Sequence, residues 1–247
     1  MTAASASAST YTITGYVSTG GVVNAGGTTL TADQGVQIVS ALLSNGTTEQ
    51  TLTSTQTASV TYGNGLSLQI PANSEIKVVA SATGLVVQSS QPVSVRNGGV
   101  TVGSQSGTLT VLASQDTVIV NLSADSQQTL QTSLSPSTAK NLDITLNPPS
   151  GAIKASIPSG AFSEDVTLTV KQPDSLPGAK AFGAYAYTAP SLLNGMGIGI
   201  EINPNKAVQP LKPVSIRLTY RSSDAADRDP RTFTVARLDD GRGQWLI

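Results

Sequence analysis

The sequence predicts an all-β protein made of two antiparallel β-sandwich domains. Short apolar runs alternate with polar residues at period two along much of the 247-residue chain, which is the pattern of half-buried strands. Glycine, proline, asparagine or aspartate bounds most of these runs, as tight turns between strands require. No fixed-period repeat is recognised, which argues against a solenoid or a propeller.

The predicted strands of the first half are short and are separated by glycine and asparagine. They cover residues 12–14, 60–62, 66–70, 76–79, 93–95, 109–111 and 118–120. Residues 31–43 allow two interpretations. They form either a short helix that stops at Asn45-Gly46 or a strand that turns there into residues 47–52. The β-rich surroundings favour the strand.

The second half alternates at period two more regularly. Its predicted strands cover residues 142–146, 153–157, 166–170, 198–202 and 214–220. Asp239-Asp240-Gly241 lies between two further runs, residues 233–238 and 244–247. Aspartate and glycine tolerate the positive φ angles of a two-residue turn, so this segment is predicted to be a hairpin.

A change in composition near residue 138 predicts the domain boundary. Residues 1–138 contain only seven of the 29 charged residues and three of the ten aromatic residues. Residues 133–138 contain serine and proline and suit a linker. We therefore expect a tail at residues 1–9, a Ser/Thr-rich sandwich at 10–138 and a second sandwich at 139–247.

Composition excludes several function classes. The chain has no histidine and no cysteine, so it lacks imidazole and thiolate chemistry. Its net charge is −1 and only 12% of its residues are charged, whereas a nucleic-acid-binding face would be basic. It also lacks a run of about 18 apolar residues that could span a membrane as a helix. We expect neither enzymatic activity nor a bound cofactor.

The stretch from Asn147 to Tyr220 resembles the ZU-five-like β-sandwich family of receptor, scaffold and bacterial surface proteins. The resemblance rests on the turns and strand of residues 149–162, the strand at 166–170, and the pair formed by 200–204 and 211–220. Trp245 lies where bacterial members often place a tryptophan. The resemblance implies a fold and no activity, and the second sandwich is expected either complete or without its final strands.

Three sets of residues are candidate sites. Asp224, Asp227 and Asp229 have the spacing of a calcium loop, although Arg228 between them and the lack of a following glutamate favour a solvated loop. Two further sets are candidates for assembly. The strand with Tyr11, Ile13, Tyr16 and Val17 is a candidate donor to a neighbouring subunit, and Trp245, Leu246 and Ile247 are candidates for an open sheet edge.

Two functions remain in competition. The first is a non-catalytic structural subunit of a bacterial extracellular or cell-surface assembly, such as a filament, stalk or surface layer, with copies of itself or other surface proteins as partners. Low charge, abundant serine and threonine, and absent cysteine favour it. The alternative is an adhesin or carbohydrate-binding module that contacts glycans through loops, with Tyr185 and Tyr187 as candidate contacts.

Overall fold

The computed structural model describes residues 12–17, 22–25, 28–42, 47–105, 107–122, 129–147, 151–171, 200–220, 223, 237–239 and 244–246. The first strands are β1 Thr12–Val17, β2 Val22–Ala25, β3 Thr28–Ala32, β4 Val36–Leu42, β5 Thr48–Ser54, β6 Ala58–Tyr62, β7 Ser67–Ile70, β8 Ser74–Ala80, β9 Gly84–Ser89, β10 Val93–Asn97 and β11 Val100–Ser104. The others are β12 Gly107–Ala113, β13 Thr117–Leu122, β14 Leu130–Leu134, β15 Asn141–Leu146, β16 Gly151–Ile157, β17 Val166–Lys171, β18 Glu201–Pro204, β19 Ser215–Tyr220, β20 Arg237–Asp239 and β21 Gln244–Leu246. The described residues contain no α-helix, which confirms the all-β class.

Two large sheets contain nearly all of these strands. The first sheet has ten strands in the order β1-β4-β5-β8-β9-β12-β13-β15-β16-β19. The second sheet has nine, in the order β18-β17-β14-β11-β10-β7-β6-β3-β2. Alternate residues of each central strand are buried, and these residues form one hydrophobic core. The protein is therefore a β-sandwich.

The chain builds this sandwich by placing successive hairpins in alternate sheets. β4–β5 belongs to the first sheet, β6–β7 to the second, β8–β9 to the first and β10–β11 to the second. The same turn chemistry returns along the chain. The Ser81 hydroxyl accepts a hydrogen bond from the Gly84 N–H at 3.0 Å, and the Ser114 hydroxyl accepts one from Thr117 at 3.1 Å. The β8–β9 and β12–β13 hairpins of the first sheet therefore share a serine-capped turn.

The ambiguous segment at residues 31–43 contains two strands and no helix in its described part. β4 pairs antiparallel with β5, from Leu42 opposite Thr48 to Gln37 opposite Thr53. Val36 and Ile38 of β4 are buried while Gln37 is exposed, so the burial period is two. The strand interpretation is confirmed.

One pair departs from the expected antiparallel arrangement. β13 runs parallel to β15, because only a single strand, β14, lies between them in the opposite sheet. Wherever a two-strand hairpin intervenes, as β10–β11 does between β9 and β12, the chain returns antiparallel. Each strand reverses the chain direction, so one intervening strand gives a parallel pair and two give an antiparallel pair.

The composition change near residue 138 does not coincide with a break between sheets. β13 and β14 precede this residue, yet they pair with β15 and β17, which follow it. Residues 135–138 form a turn in which the Thr138 N–H donates to the Ser135 carbonyl at 2.9 Å. Thr138 itself is buried. The strands of the two large sheets, β1 to β19, therefore form one shared sandwich, where two separate ones and a linker were expected.

Candidate functional site

The strand predicted as an assembly donor is already paired within its own chain. β1 runs antiparallel to β4, with Ile13 opposite Ser40, Tyr16 opposite Gln37 and Val17 opposite Val36. Tyr11 lies outside the described residues. β1 is the terminal strand of the first sheet, so it offers a neighbour its other edge. Donation of this strand as a whole would require its separation from β4.

The other predicted sites lie at or beyond the margin of the described chain. Trp245 and Leu246 belong to β21, which pairs with β20 in a separate two-stranded sheet, and Ile247 lies outside the described residues. Asp224, Asp227 and Asp229 also lie outside them. Within the described ranges, no three acidic side chains are grouped closely enough to hold a metal ion. The calcium site and the open edge at Trp245 stay predictions, as do the Tyr185 and Tyr187 contacts, whose residues are not described.

Charged side chains of the described residues lie mainly on the surface. Their ion pairs join partly exposed groups, for example Lys154 to Asp143 at 2.7 Å and Lys206 to Glu164 at 2.6 Å. Pairs of this kind contribute little to stability. Among the described residues, Tyr62 has a perturbed pKa, which burial raises far above its usual value. Its hydroxyl donates to Gln50 Oε1 at 3.2 Å inside the core, so this hydrogen bond belongs to the packing of the core.

An apolar surface lies where both large sheets end together, at β18 and β19. Ile216 of β19 is paired with Ala155, and Leu218 is paired with Ile153. Ala155 and Ile153 are completely buried. Because paired residues point to the same side of a sheet, β19 continues the core-facing side. Ile216 is nevertheless 48% exposed.

The second sheet contributes the opposite side of this surface. Ile202 of β18 is paired with the buried Val170 and is itself only partly buried. Nearby, Leu211 is 69% exposed and its N–H donates to the Ala161 carbonyl at 2.7 Å. We call the core-facing sides of β18 and β19, together with Leu211, the open end.

The sequence predicted the strand but not its exposure. Period-two alternation over residues 214–220 correctly indicated β19, and alternation usually means that the apolar side is buried. Exposure of Ile216 depends on how far the opposite sheet extends, which no local pattern encodes; in the described part of the chain that sheet ends at β18. Similarly, the strand predicted at residues 198–202 begins at Glu201 in the structure.

Within the described residues, no helix is long and apolar enough to cross a bilayer.

In comparisons with known proteins, no family model, curated protein or solved structure matches the chain. The similarity of residues 147–220 to the ZU-five-like family therefore stays a prediction.

Proposed function

We propose that this protein is a non-catalytic structural subunit of a bacterial extracellular or cell-surface assembly, such as a filament, stalk or surface layer. The observation that carries the proposal is the open end. There, core-facing apolar side chains of β19 are exposed, and no described strand pairs with the outer edge of β19. Contiguous exposed apolar surface and an unpaired strand edge are both features of association sites.

The lengths of the terminal strands favour extension of the first sheet. Its terminal strands, β1 and β19, have six residues each. Those of the second sheet, β2 and β18, have four residues each. β18 also ends in Pro204, which cannot donate a backbone hydrogen bond. Short strands and proline limit pairing at an edge, so the first sheet is better suited to continue into a neighbouring copy.

Strand directions favour one arrangement of the neighbour. Nine pairs of neighbouring strands lie between β1 and β19, and eight of them are antiparallel while β13–β15 is parallel. An even number of reversals leaves β1 and β19 running in the same direction. A copy translated along the sheet would place its β1 beside β19 as a parallel strand. The neighbour's β1 would keep its pairing with β4. The two copies would therefore join edge to edge, without either copy donating a strand that has left its own sheet.

Composition supports the proposed location. The chain combines 61 serine and threonine residues with no cysteine and a charged fraction of 12%. Low charge, abundant threonine and absent cysteine together favour a secreted or cell-surface bacterial protein. Repeated head-to-tail contacts of one surface with a different surface generate open filaments when they do not close into a ring.

Ile216→Lys tests this proposal in the full-length protein. We expect the wild type to form larger species as its concentration rises from micromolar to millimolar, and the variant to stay monomeric, because a lysine on β19 places a charge in the contact. Ile216 is half exposed, so the fold should tolerate the change. Light scattering coupled to size exclusion, with negative-stain electron microscopy, measures the outcome.

Val86→Lys is the matched control. Val86 is also an exposed apolar residue, at 38%, but β9 lies in the middle of the first sheet, away from either edge. This variant should assemble like the wild type. A wild type that stays monomeric at all concentrations, or an Ile216→Lys protein that assembles normally, would contradict the proposal.

A further inference from the structure

A shallow depression lies on the outer face of the second sheet, whereas the open end is on the core-facing side. One row of paired residues crosses it: Gln69 on β7, Ser94 on β10, Gly103 on β11 and Gln131 on β14. The residues beside them in sequence, such as Leu68, Val95 and Val102, are buried in the core. Since successive side chains of a strand point to opposite faces, the row points outward.

Gly103 forms the floor of the depression. It is the fourth residue of the five-residue strand β11, and a Cβ atom there would meet nothing closer than the Val93 carbonyl oxygen at 3.4 Å. A side chain would therefore fit at this position, yet none is present. Glycine inside a strand weakens the sheet and often marks a bulge, a bend, or a place where a ligand or another backbone approaches closely.

The space above Gly103 has the size of a small binding site. Its volume is about 280 Å³, and Pro71, Pro92 and Gln105 form its walls together with the row of paired residues. Ligand pockets commonly begin at about 300 Å³. A single ring of hexose size fits a space of these dimensions, whereas a folded partner would contact a much larger area.

The hydrogen-bonding groups around this space are neutral and can both donate and accept. They are the amides of Gln69, Gln105 and Gln131 and the hydroxyl of Ser94. Ser94 Oγ donates to Gln69 Oε1 at 3.2 Å, which holds that amide in place and directs its NH₂ group to other acceptors. Neighbouring hydroxyls of a sugar also donate and accept, so amide side chains match them well.

Two further features select the class of ligand. Among the described residues, no charged side chain lines the depression, so none of them compensates the charge of a phosphate, carboxylate or ammonium group. Pro71 and Pro92 offer rigid apolar surface for the C–H groups of a sugar ring. A peptide strand would gain less here, because the backbone groups of β10 and β11 are already engaged with strands on both sides.

We propose that this depression binds one neutral sugar residue, with Gly103 as the floor and the amides of Gln69 and Gln131 as hydrogen-bonding partners. The site lies on a sheet face and not on the sheet edges proposed for assembly. Sugar binding and subunit assembly can therefore be tested separately, and either can fail without the other.

Nuclear magnetic resonance titration of the full-length protein tests the proposal. The probes are glucose, galactose and N-acetylglucosamine with a trisaccharide of each, plus glucuronate and a neutral tripeptide of alanine, glycine and serine. We expect saturable shifts of the Gly103 N–H and of the Gln69 and Gln131 side-chain amides with at least one neutral saccharide. Absence of such shifts with every saccharide would overturn the proposal, as would equal shifts with glucuronate or the tripeptide.

Gly103→Val connects binding to the floor of the depression. The added side chain suits a strand and fills the space, so affinity should fall by more than about tenfold. Thr101→Val is the matched control, since Thr101 lies on the same face of β11 outside the depression, and it should bind normally. Gln131→Leu removes one exposed amide without adding bulk to the floor and should also weaken binding. Unchanged affinity in both Gly103→Val and Gln131→Leu would contradict the site.

Discussion

Tyr62 and Gln50 connect the two sheets by a hydrogen bond within the core. Tyr62 belongs to β6 of the second sheet, and Gln50 belongs to β5 of the first. Both are buried, and the Tyr62 hydroxyl donates to Gln50 Oε1 at 3.2 Å. Burial favours the neutral phenol and so raises the pKa of Tyr62. The pair therefore links stability to pH at the alkaline end.

Tyr62→Phe should lower the free energy of unfolding by about 1 kcal/mol at neutral pH, because one buried hydrogen bond is lost. The ordinary phenol pKa is 10.0, so above this pH the unfolded wild type releases a proton that the folded state keeps. Wild-type stability then falls as pH rises, and the phenylalanine variant lacks this contribution. Urea unfolding at about pH 7 and about pH 11 should show the difference between the two proteins shrinking by about 1 kcal/mol. A constant difference would contradict the expectation.

At the scale of elements, the spacing of neighbouring strands depends on where glycine is required. Gly84 begins β9 and lies opposite Leu112 of β12. A Cβ atom at Gly84 would collide with the Leu112 side chain and would lie 2.8 Å from the Val111 carbonyl oxygen. At Gly103 the nearest atom would be 3.4 Å away. Both glycines lie in strands, but only Gly84 is sterically required.

Gly84→Ala should therefore destabilise the protein by about 1–3 kcal/mol, since the backbone of β12 must shift to make room. Gly103→Ala is the matched control and should change the free energy of unfolding by less than about 0.5 kcal/mol. Chemical denaturation of both variants gives the comparison. Equal effects of the two substitutions would show that the close approach at Gly84 does not matter.

The elements also show which signals the sequence carries. Period-two alternation in residues 142–146 and 153–157 predicted β15 and β16 almost to their ends. β11 and β14 were not predicted, because polar residues, Ser104 and Thr132, occupy buried positions where the alternation requires apolar ones. Gly103 lies on the outer face of β11, and an isolated glycine inside a strand pattern is itself a signal of a bulge or of close backbone approach.

At the scale of the whole molecule, the shared sheets make the two halves depend on each other. The second half supplies β15, β16 and β17, and two of these pair with strands from before residue 138. Core residues from both halves belong to one cluster. A fragment of residues 139–247 would thus lose the partner strands β13 and β14 and the apolar surface packed against them.

We expect residues 139–247 expressed alone to be unfolded, as judged by far-UV circular dichroism and by poor dispersion in nuclear magnetic resonance spectra. A fragment of residues 1–171 keeps β1 to β17 with their mutual pairings and should fold, which makes it the matched control. A folded 139–247 fragment would instead support the domain boundary predicted from composition.

The sequence by itself determined the all-β class and most of the inward-facing residues. These are local properties, since a strand with one buried face must alternate at period two whatever its neighbours are. Only the tertiary structure decided which strands pair. It also decided that β13 and β15 run parallel and that β19 lies at the open end. It also brought Gln69, Ser94, Gly103 and Gln131 into one row. Pairing between strands distant in the chain depends on how successive hairpins are distributed between the sheets, and the pattern within any single strand does not contain that information.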